Sequence, residues 1–85
     1  MRTLTGNVHK LGSDEPAEGV YVRVACDGDP RSHGGWTYAG GLFVIQNLPP
    51  STCRLQIALA EMSTALVTVN VDTSKQSYAV VAAPL

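Results

Sequence analysis

The chain has 85 residues, of which 45% are hydrophobic and 15% charged, and its formal net charge is −1. The hydrophobic share argues against disorder, and the length is too short for two independent cores, so we expect one domain, 1–85. The six Lys and Arg residues are scattered, which with the net charge gives no reason to expect nucleic acid or an anionic membrane as partner. The charged share lies below the ~25% of typical soluble domains, and this slightly favours a surface covered by a partner.

The sequence also leads to expectations about the cellular compartment and the redox state of the cysteines. No window reaches the ~18 apolar residues of a membrane span, and residues 1–6 lack the apolar run of a signal peptide. We therefore expect a protein without signal peptide or transmembrane segment that is cytoplasmic as synthesised. Cys26 and Cys53 are too few for a disulfide framework and lack CxxC spacing, so we expect buried free thiols.

Three strands are predicted in the first half of the chain. Residues 3–8 form the first, with Gly6 as a point of close approach, and a polar loop follows over 10–18. Residues 19–26 form the clearest strand, because its apolar positions alternate with Tyr21, Arg23 and Ala25. Residues 27–35 are rich in turn formers and are predicted to be irregular, and 36–39 form a third strand.

Four more strands are predicted after a turn at Gly40-Gly41, where glycine permits positive φ. They cover residues 42–48, ended by Pro49-Pro50, then 53–57, 64–71 and 77–82, and we interpret 58–63 as a turn. Seven short strands without a convincing helix predict an all-β sandwich or barrel. The predicted inner faces carry Val20, Val22, Val24, Phe43, Ile45, Leu55, Ile57, Val67 and Val69.

A set of motifs over residues 4–57 resembles the carboxypeptidase regulatory-like domains. The matching positions are Gly6, Val8, Pro16, Gly19, Val20, Val22, Thr37, Gly41, Phe43, Ile45, Leu48, Pro49, Pro50, Leu55 and Ile57. The resemblance implies a seven-stranded Ig-like or prealbumin-like (transthyretin-type) β-sandwich. The chain departs from the pattern at Ser51, where the family has glycine, and at Cys53, where it has an aromatic ring. We expect Trp36 or Tyr78 to fill the space of that missing ring.

The resemblance implies a non-catalytic module, since such domains serve folding, spacing or binding beside other domains. An enzymatic relative of the transthyretin fold, 5-hydroxyisourate hydrolase, has a similar first strand with a histidine where this chain has Asn7, and it ends in Tyr-Arg-Gly-Ser. Here the chain ends Val81-Ala-Ala-Pro-Leu85. Both features of that hydrolase are missing, so a hydrolase of this type is the least favoured interpretation and we predict no catalytic residues.

Aromatic and arginine side chains give the candidate binding residues. Trp, Tyr and Arg dominate interface hot spots, so the protein-interface candidates are Trp36, Tyr38, Tyr21, Arg23 and Arg31. The alternative is that Trp36 caps one end of the core. Asp27, Asp29 and His33 suggest a cation site, but the segment lacks the ligand order of a calcium loop and a cysteine for zinc, so we predict no metal and no cofactor.

Our functional prediction is a structural or interaction module that acts through protein–protein contacts. It would be a subunit of a larger assembly, either a homo-oligomer or an accessory piece such as a phage or virion decoration or tail protein. The alternative is a module that binds a carbohydrate or small ligand through loops near residues 29–36. A flat apolar patch would favour assembly, whereas a concave aromatic patch would favour a ligand.

Overall fold

Seven β-strands and no α-helix make up the computed structural model, which describes residues 1–85. The only helical segment is a short 3₁₀ turn at Ala39–Gly41, and nothing helical in the structure is long and apolar enough to cross a membrane. The strands are β1 (Arg2–Lys10), β2 (Tyr21–Cys26), β3 (His33–Trp36), β4 (Leu42–Leu48), β5 (Thr52–Ala58), β6 (Ala65–Asp72) and β7 (Tyr78–Ala83).

The strands form two sheets around one core. The three-stranded sheet has the order β4-β1-β7, and the four-stranded sheet has the order β3-β2-β5-β6. All neighbouring strands are antiparallel except β1 and β7, which are parallel. Seventeen buried residues, from both sheets and from the loop before β2, form a single hydrophobic cluster. The predicted all-β class is therefore confirmed, with two sheets enclosing one core.

The alternation of apolar residues predicted the inner faces well. Seven of the nine predicted inner residues are buried, and the two exceptions, Val67 and Val69, are partly buried against the same core. Both lie on β6, the edge strand of the wider sheet. The three-stranded sheet covers this edge less completely, because β7 is its last strand on that side.

Gly6 is the point of close approach that the sequence predicted. A Cβ atom added there would lie 2.0 Å from the carbonyl oxygen of Ala79 and 2.7 Å from Cζ of Phe43. Phe43 is the largest fully buried side chain, and it packs over this bare stretch of β1. Glycine at position 6 thus permits both the pairing of β1 with β7 and the packing of the central ring.

The third strand lies earlier than predicted. Residues 33–35 were predicted to be irregular and 36–39 to be the strand, but β3 covers His33–Trp36. Gly34 and Gly35 resemble turn residues, yet they pair with Arg23 and Val22 of β2. The physical reason is steric, because a Cβ atom on Gly34 would lie 1.9 Å from Oη of Tyr21.

The proline corner after β4 is held by a threonine from the β6–β7 turn. The buried hydroxyl of Thr73 accepts a hydrogen bond from the Ser51 backbone N–H at 3.0 Å and lies in donor range of the Pro49 carbonyl oxygen. Ser51 keeps a negative φ, since Asn47 is the only non-glycine residue with positive φ. The corner therefore closes without the glycine that the resemblance leads one to expect.

The cysteines form a disulfide, so the expectation of free thiols is wrong. Cys26 and Cys53 are directly opposite each other on β2 and β5, with their Cα atoms 3.9 Å apart. The alternation predicted that both side chains point inward, but it could not show that they face each other. The expected replacement of the missing ring is also wrong, because Trp36 and Tyr78 are both half exposed and the Cys26 sulfur lies against Cys53 instead.

Opening the disulfide should destabilise the chain substantially. The bond joins residues 27 apart in sequence, and a loop of this length corresponds to about 3–4 kcal/mol of unfolding free energy. The double variant Cys26→Ala/Cys53→Ala should lower the free energy of unfolding in urea by about this amount. A reducing agent should lower the stability of the wild type but not that of the variant. Recovery of two alkylatable thiols from the untreated, denatured protein would contradict the bond.

Thr37 follows β3 directly, and its side chain forms hydrogen bonds with the loop before β2. Its buried hydroxyl donates to the carbonyl oxygen of Ala17 at 2.7 Å and accepts from the Val20 N–H at 3.1 Å. Thr37→Val keeps the shape but leaves both backbone groups unpaired, so we expect a loss of about 1–3 kcal/mol in unfolding free energy. Thr37→Ser keeps the hydroxyl and is the control. Equal urea midpoints for Thr37→Val and wild type would refute this role.

Candidate functional site

Tyr21 and Trp36 come together on the outer face of the four-stranded sheet. They are directly opposed on β2 and β3, and their ring centroids lie 5.2 Å apart at 70° in an edge-to-face arrangement. Trp36 is half exposed and lies outside the core cluster. It therefore points outward rather than capping the end of the core.

Arg23 lies on the same outer face and fastens the β5–β6 turn to it. Nε donates to the side-chain oxygen of Gln56 at 3.0 Å, and the terminal nitrogens donate to the carbonyl oxygens of Glu61 and Ser63 at 3.0 and 3.2 Å. These bonds hold the turn above the sheet. A guanidinium has five N–H donors, so two remain free for other partners.

A concave pocket of about 470 Å³ lies between that turn and β3. Its lining is Tyr21, Arg23, Ser32, His33, Gly34, Glu61 and Met62. Gly34 contributes only backbone, and its missing side chain is what gives the Tyr21 hydroxyl room. Two of the predicted interface residues thus line a concave site, with Trp36 adjoining it.

The other two predicted residues lie elsewhere. Tyr38 is half exposed and forms an isolated bridge with Leu42, at the start of β4. Arg31 lies in the loop after β2, where its guanidinium is paired with Asp29. The five sequence candidates therefore divide among three places and do not form one patch.

The side chains of Asp29, Arg31 and His33 form a hydrogen-bonded cluster at the loop between β2 and β3. The Asp29 carboxylate accepts from the Arg31 Nε and backbone N–H, both at 3.0 Å, and its second oxygen lies 2.9 Å from Nε2 of His33. These hydrogen bonds, with the Arg31 side chain as the largest cause, hold the pKa of Asp29 well below its ordinary value. The carboxylate is thus used within the chain, and no group of three or more His, Cys, Asp or Glu side chains is arranged to hold a metal ion.

An apolar outer face on the three-stranded sheet was not found from the sequence. Its exposed large residues are Leu42, Val44, Tyr78 and Val80, with exposed fractions of 39% to 59%. The residues between them on β1 are Thr5 and Asn7, which pair with β4 on one side and β7 on the other. The full set, called the apolar face below, is Thr3, Thr5, Asn7, His9, Leu42, Val44, Gln46, Tyr78, Val80 and Ala82.

The apolar face carries no Asp, Glu, Lys or Arg. The outer face of the four-stranded sheet, by contrast, carries Arg23 and Arg54 among polar residues, and Arg54 lies 3.6 Å from Asp27. Asn7 donates to the Tyr78 hydroxyl at 2.9 Å within the apolar face. The alternation shows that these residues of β4 and β7 point outward, but it does not show that the two strands flank β1 in one sheet.

Comparison of the chain with protein-family models, with curated proteins and with solved structures finds no match. The resemblance to carboxypeptidase regulatory-like domains therefore stays a prediction that depends on the motifs alone.

The depressed pKa of Asp29 makes stability depend on pH. Its ordinary pKa is about 4, so as the pH falls below that value the unfolded chain takes up a proton before the folded chain does. The stabilisation is complete above about pH 4 and is lost as the pH falls toward the folded-state pKa. The urea midpoint should therefore decline on acidification.

Asp29→Asn should flatten that decline. The pKa of Asp72 is also lowered, chiefly by a hydrogen bond from the Ser74 hydroxyl and next by one from the Ser74 N–H. Asp72→Asn therefore removes a second carboxylate with a lowered pKa and serves as the comparison variant. The measurement is the urea midpoint from pH 2 to pH 7. An Asp29→Asn curve parallel to that of the wild type would contradict the assignment.

Proposed function

We propose that the protein is a non-catalytic structural module that assembles by self-association through the apolar face. The carrying observation is that four large hydrophobic side chains, Leu42, Val44, Tyr78 and Val80, are exposed together on one sheet face without a charged residue. These side chains lie on β4 and β7, on either side of Thr5 and Asn7 of β1. Exposed apolar side chains grouped on one face mark interaction sites in soluble proteins. The class of function, a module that acts through protein–protein contacts, is the one predicted from the sequence. The proposed contact surface is the apolar face and not the predicted set around Trp36.

A second copy of the chain is the partner that this surface fits best. In a twofold contact the same patch lies on both sides, so a charge close to the twofold axis would face its own copy. The apolar face has none and can meet itself without that penalty. The outer face of the four-stranded sheet, with two arginines, lacks this property.

The size of the face sets the expected strength of the contact. Three strands at ~4.8 Å spacing and ~24 Å length give roughly 340 Å² in projection. A standard interface buries about 800 Å² per partner, so one contact through this face would be small and dissociable. Self-association through it therefore depends on protein concentration.

The finer fold and setting belong to the same proposal. We propose the carboxypeptidase regulatory-like, prealbumin-like sandwich on the motifs around Gly6, Thr37, Phe43 and the Leu48-Pro49-Pro50 corner. Two sheets over one core agree with it. An accessory protein of a virion is one assembly in which such a module would occur in many copies.

Sedimentation velocity over a wide concentration range tests the proposal. We expect the wild type to shift from monomer to a larger species as concentration rises. Val80→Lys places a charge on the β7 strand of the apolar face, beside Asn7 of β1, and should keep the protein monomeric at every concentration. The reason is that the contact would bury the ammonium group of each copy without a partner charge.

Thr68→Lys is the matched control. It adds the same charge at an exposed outward position of β6, an edge strand of the other sheet, and should leave the association unchanged. A wild type that stays monomeric throughout would refute self-association. Equal inhibition by both lysine variants would show that charge, and not the apolar face, controls the contact.

A further inference from the structure

We propose that the pocket between β3 and the β5–β6 turn binds a neutral, hydroxyl-rich small molecule of the saccharide class. The pocket volume of about 470 Å³ lies within the range of small-molecule sites. It lies on the opposite sheet from the apolar face, so this inference goes beyond self-association and does not depend on it.

The pocket presents both donors and acceptors without partners in the chain. Arg23 has two free N–H groups after its bonds to Gln56, Glu61 and Ser63. The Tyr21 and Ser32 hydroxyls also line the pocket and can each donate and accept. A saccharide hydroxyl both donates and accepts, which matches a mixed lining better than an anion or a cation does.

The charges in the pocket favour a neutral ligand. Arg23 contributes one positive charge and Glu61 one negative charge to the same lining. The Glu61 carboxylate takes part in none of the ion pairs of the chain, so it is free to accept hydrogen bonds. For an anion or a cation the attraction to one of these charges is offset by repulsion from the other, whereas a neutral polyol can hydrogen-bond to both groups.

One wall of the pocket is aromatic. The Tyr21 ring lines it, and the Trp36 ring adjoins Tyr21 at a centroid distance of 5.2 Å. An aromatic ring offers a flat apolar surface beside its polar edge, which suits the C–H face of a sugar ring lying between hydroxyl groups. Tyr21 is the one aromatic ring in the lining, and it gives the concave pocket a surface on which a sugar ring can pack.

The walls are fixed before any ligand arrives. Arg23 holds the turn that carries Glu61 by donating to the carbonyl oxygens of Glu61 and Ser63. Gly34 leaves the space into which the Tyr21 hydroxyl extends, and Trp36 supports the ring from the side. A preformed site loses less free energy to ordering on binding.

Amide chemical-shift titration by NMR tests the inference. The neutral probes are glucose, N-acetylglucosamine, maltose and chitobiose, and the charged probes are inorganic phosphate, glucuronate and glucosamine. We expect at least one neutral probe to shift the amides of Gly34, Glu61 and Met62 in a saturable way, while residues of the apolar face stay unshifted.

Tyr21→Phe keeps the ring against Trp36 but removes the hydroxyl. It should weaken binding two- to tenfold, which is the effect of losing about one hydrogen bond. Tyr78→Phe makes the same change on the other sheet and should leave affinity unchanged. Val80→Lys should also bind normally, so failure of the self-association proposal would not disturb this result.

Three outcomes would overturn the inference. The first is that no neutral probe shifts the pocket amides. The second is that phosphate, glucuronate or glucosamine binds there more tightly than every neutral probe. The third is that Tyr21→Phe and Tyr78→Phe change affinity equally.

Discussion

The packing of Phe43 against the bare backbone of Gly6 is the contact on which the three-stranded sheet depends. A side chain at position 6 would collide with this ring and with the carbonyl oxygen of Ala79 on β7. The same position therefore permits the central core contact and the parallel pairing of β1 with β7. That pairing places Tyr78 and Val80 beside Thr5 and Asn7, and so creates the apolar face from residues more than seventy positions apart.

The two outer faces of the protein differ in what they can bind. On the four-stranded sheet, Arg23 organises a turn into the wall of a polar, concave site with an aromatic side. On the three-stranded sheet, the exposed residues of β4 and β7 form an uncharged surface without a comparable pocket. Successive side chains of a strand point to opposite faces of its sheet. The inward residues that form the core therefore fix which neighbouring residues lie on each outer surface.

Much of the fold could be predicted from local pattern, and the errors have identifiable causes. Alternation predicted the buried faces of β2, β4 and β5, and the Gly40-Gly41 turn has the positive φ expected of it. The prediction of β3 failed because Gly34 indicates a turn by its identity, whereas its role depends on the Tyr21 side chain from another strand. The disulfide was missed because register between strands cannot be read from spacing alone.

The candidate sites were less accessible to sequence reasoning than the fold. Tyr21, Arg23 and Trp36 were recognised as binding residue types, but the pocket depends on the Glu61 turn, which reaches them only through Arg23. The apolar face depends on which strands lie side by side, and the parallel β1–β7 pair joins the two ends of the chain. Sequence pattern shows which side chains point outward, and only strand order shows which of them meet.

The two proposals are compatible because they use opposite sides of the molecule. A twofold contact through the apolar face leaves the pocket of each copy on the side turned away from its partner. A pair of copies would then present two ligand sites facing in opposite directions. Such an arrangement cannot bring both sites onto one short ligand, but it can link two separate surfaces that carry the same saccharide. If both proposals hold, self-association would change cross-linking between surfaces rather than the affinity of a single site.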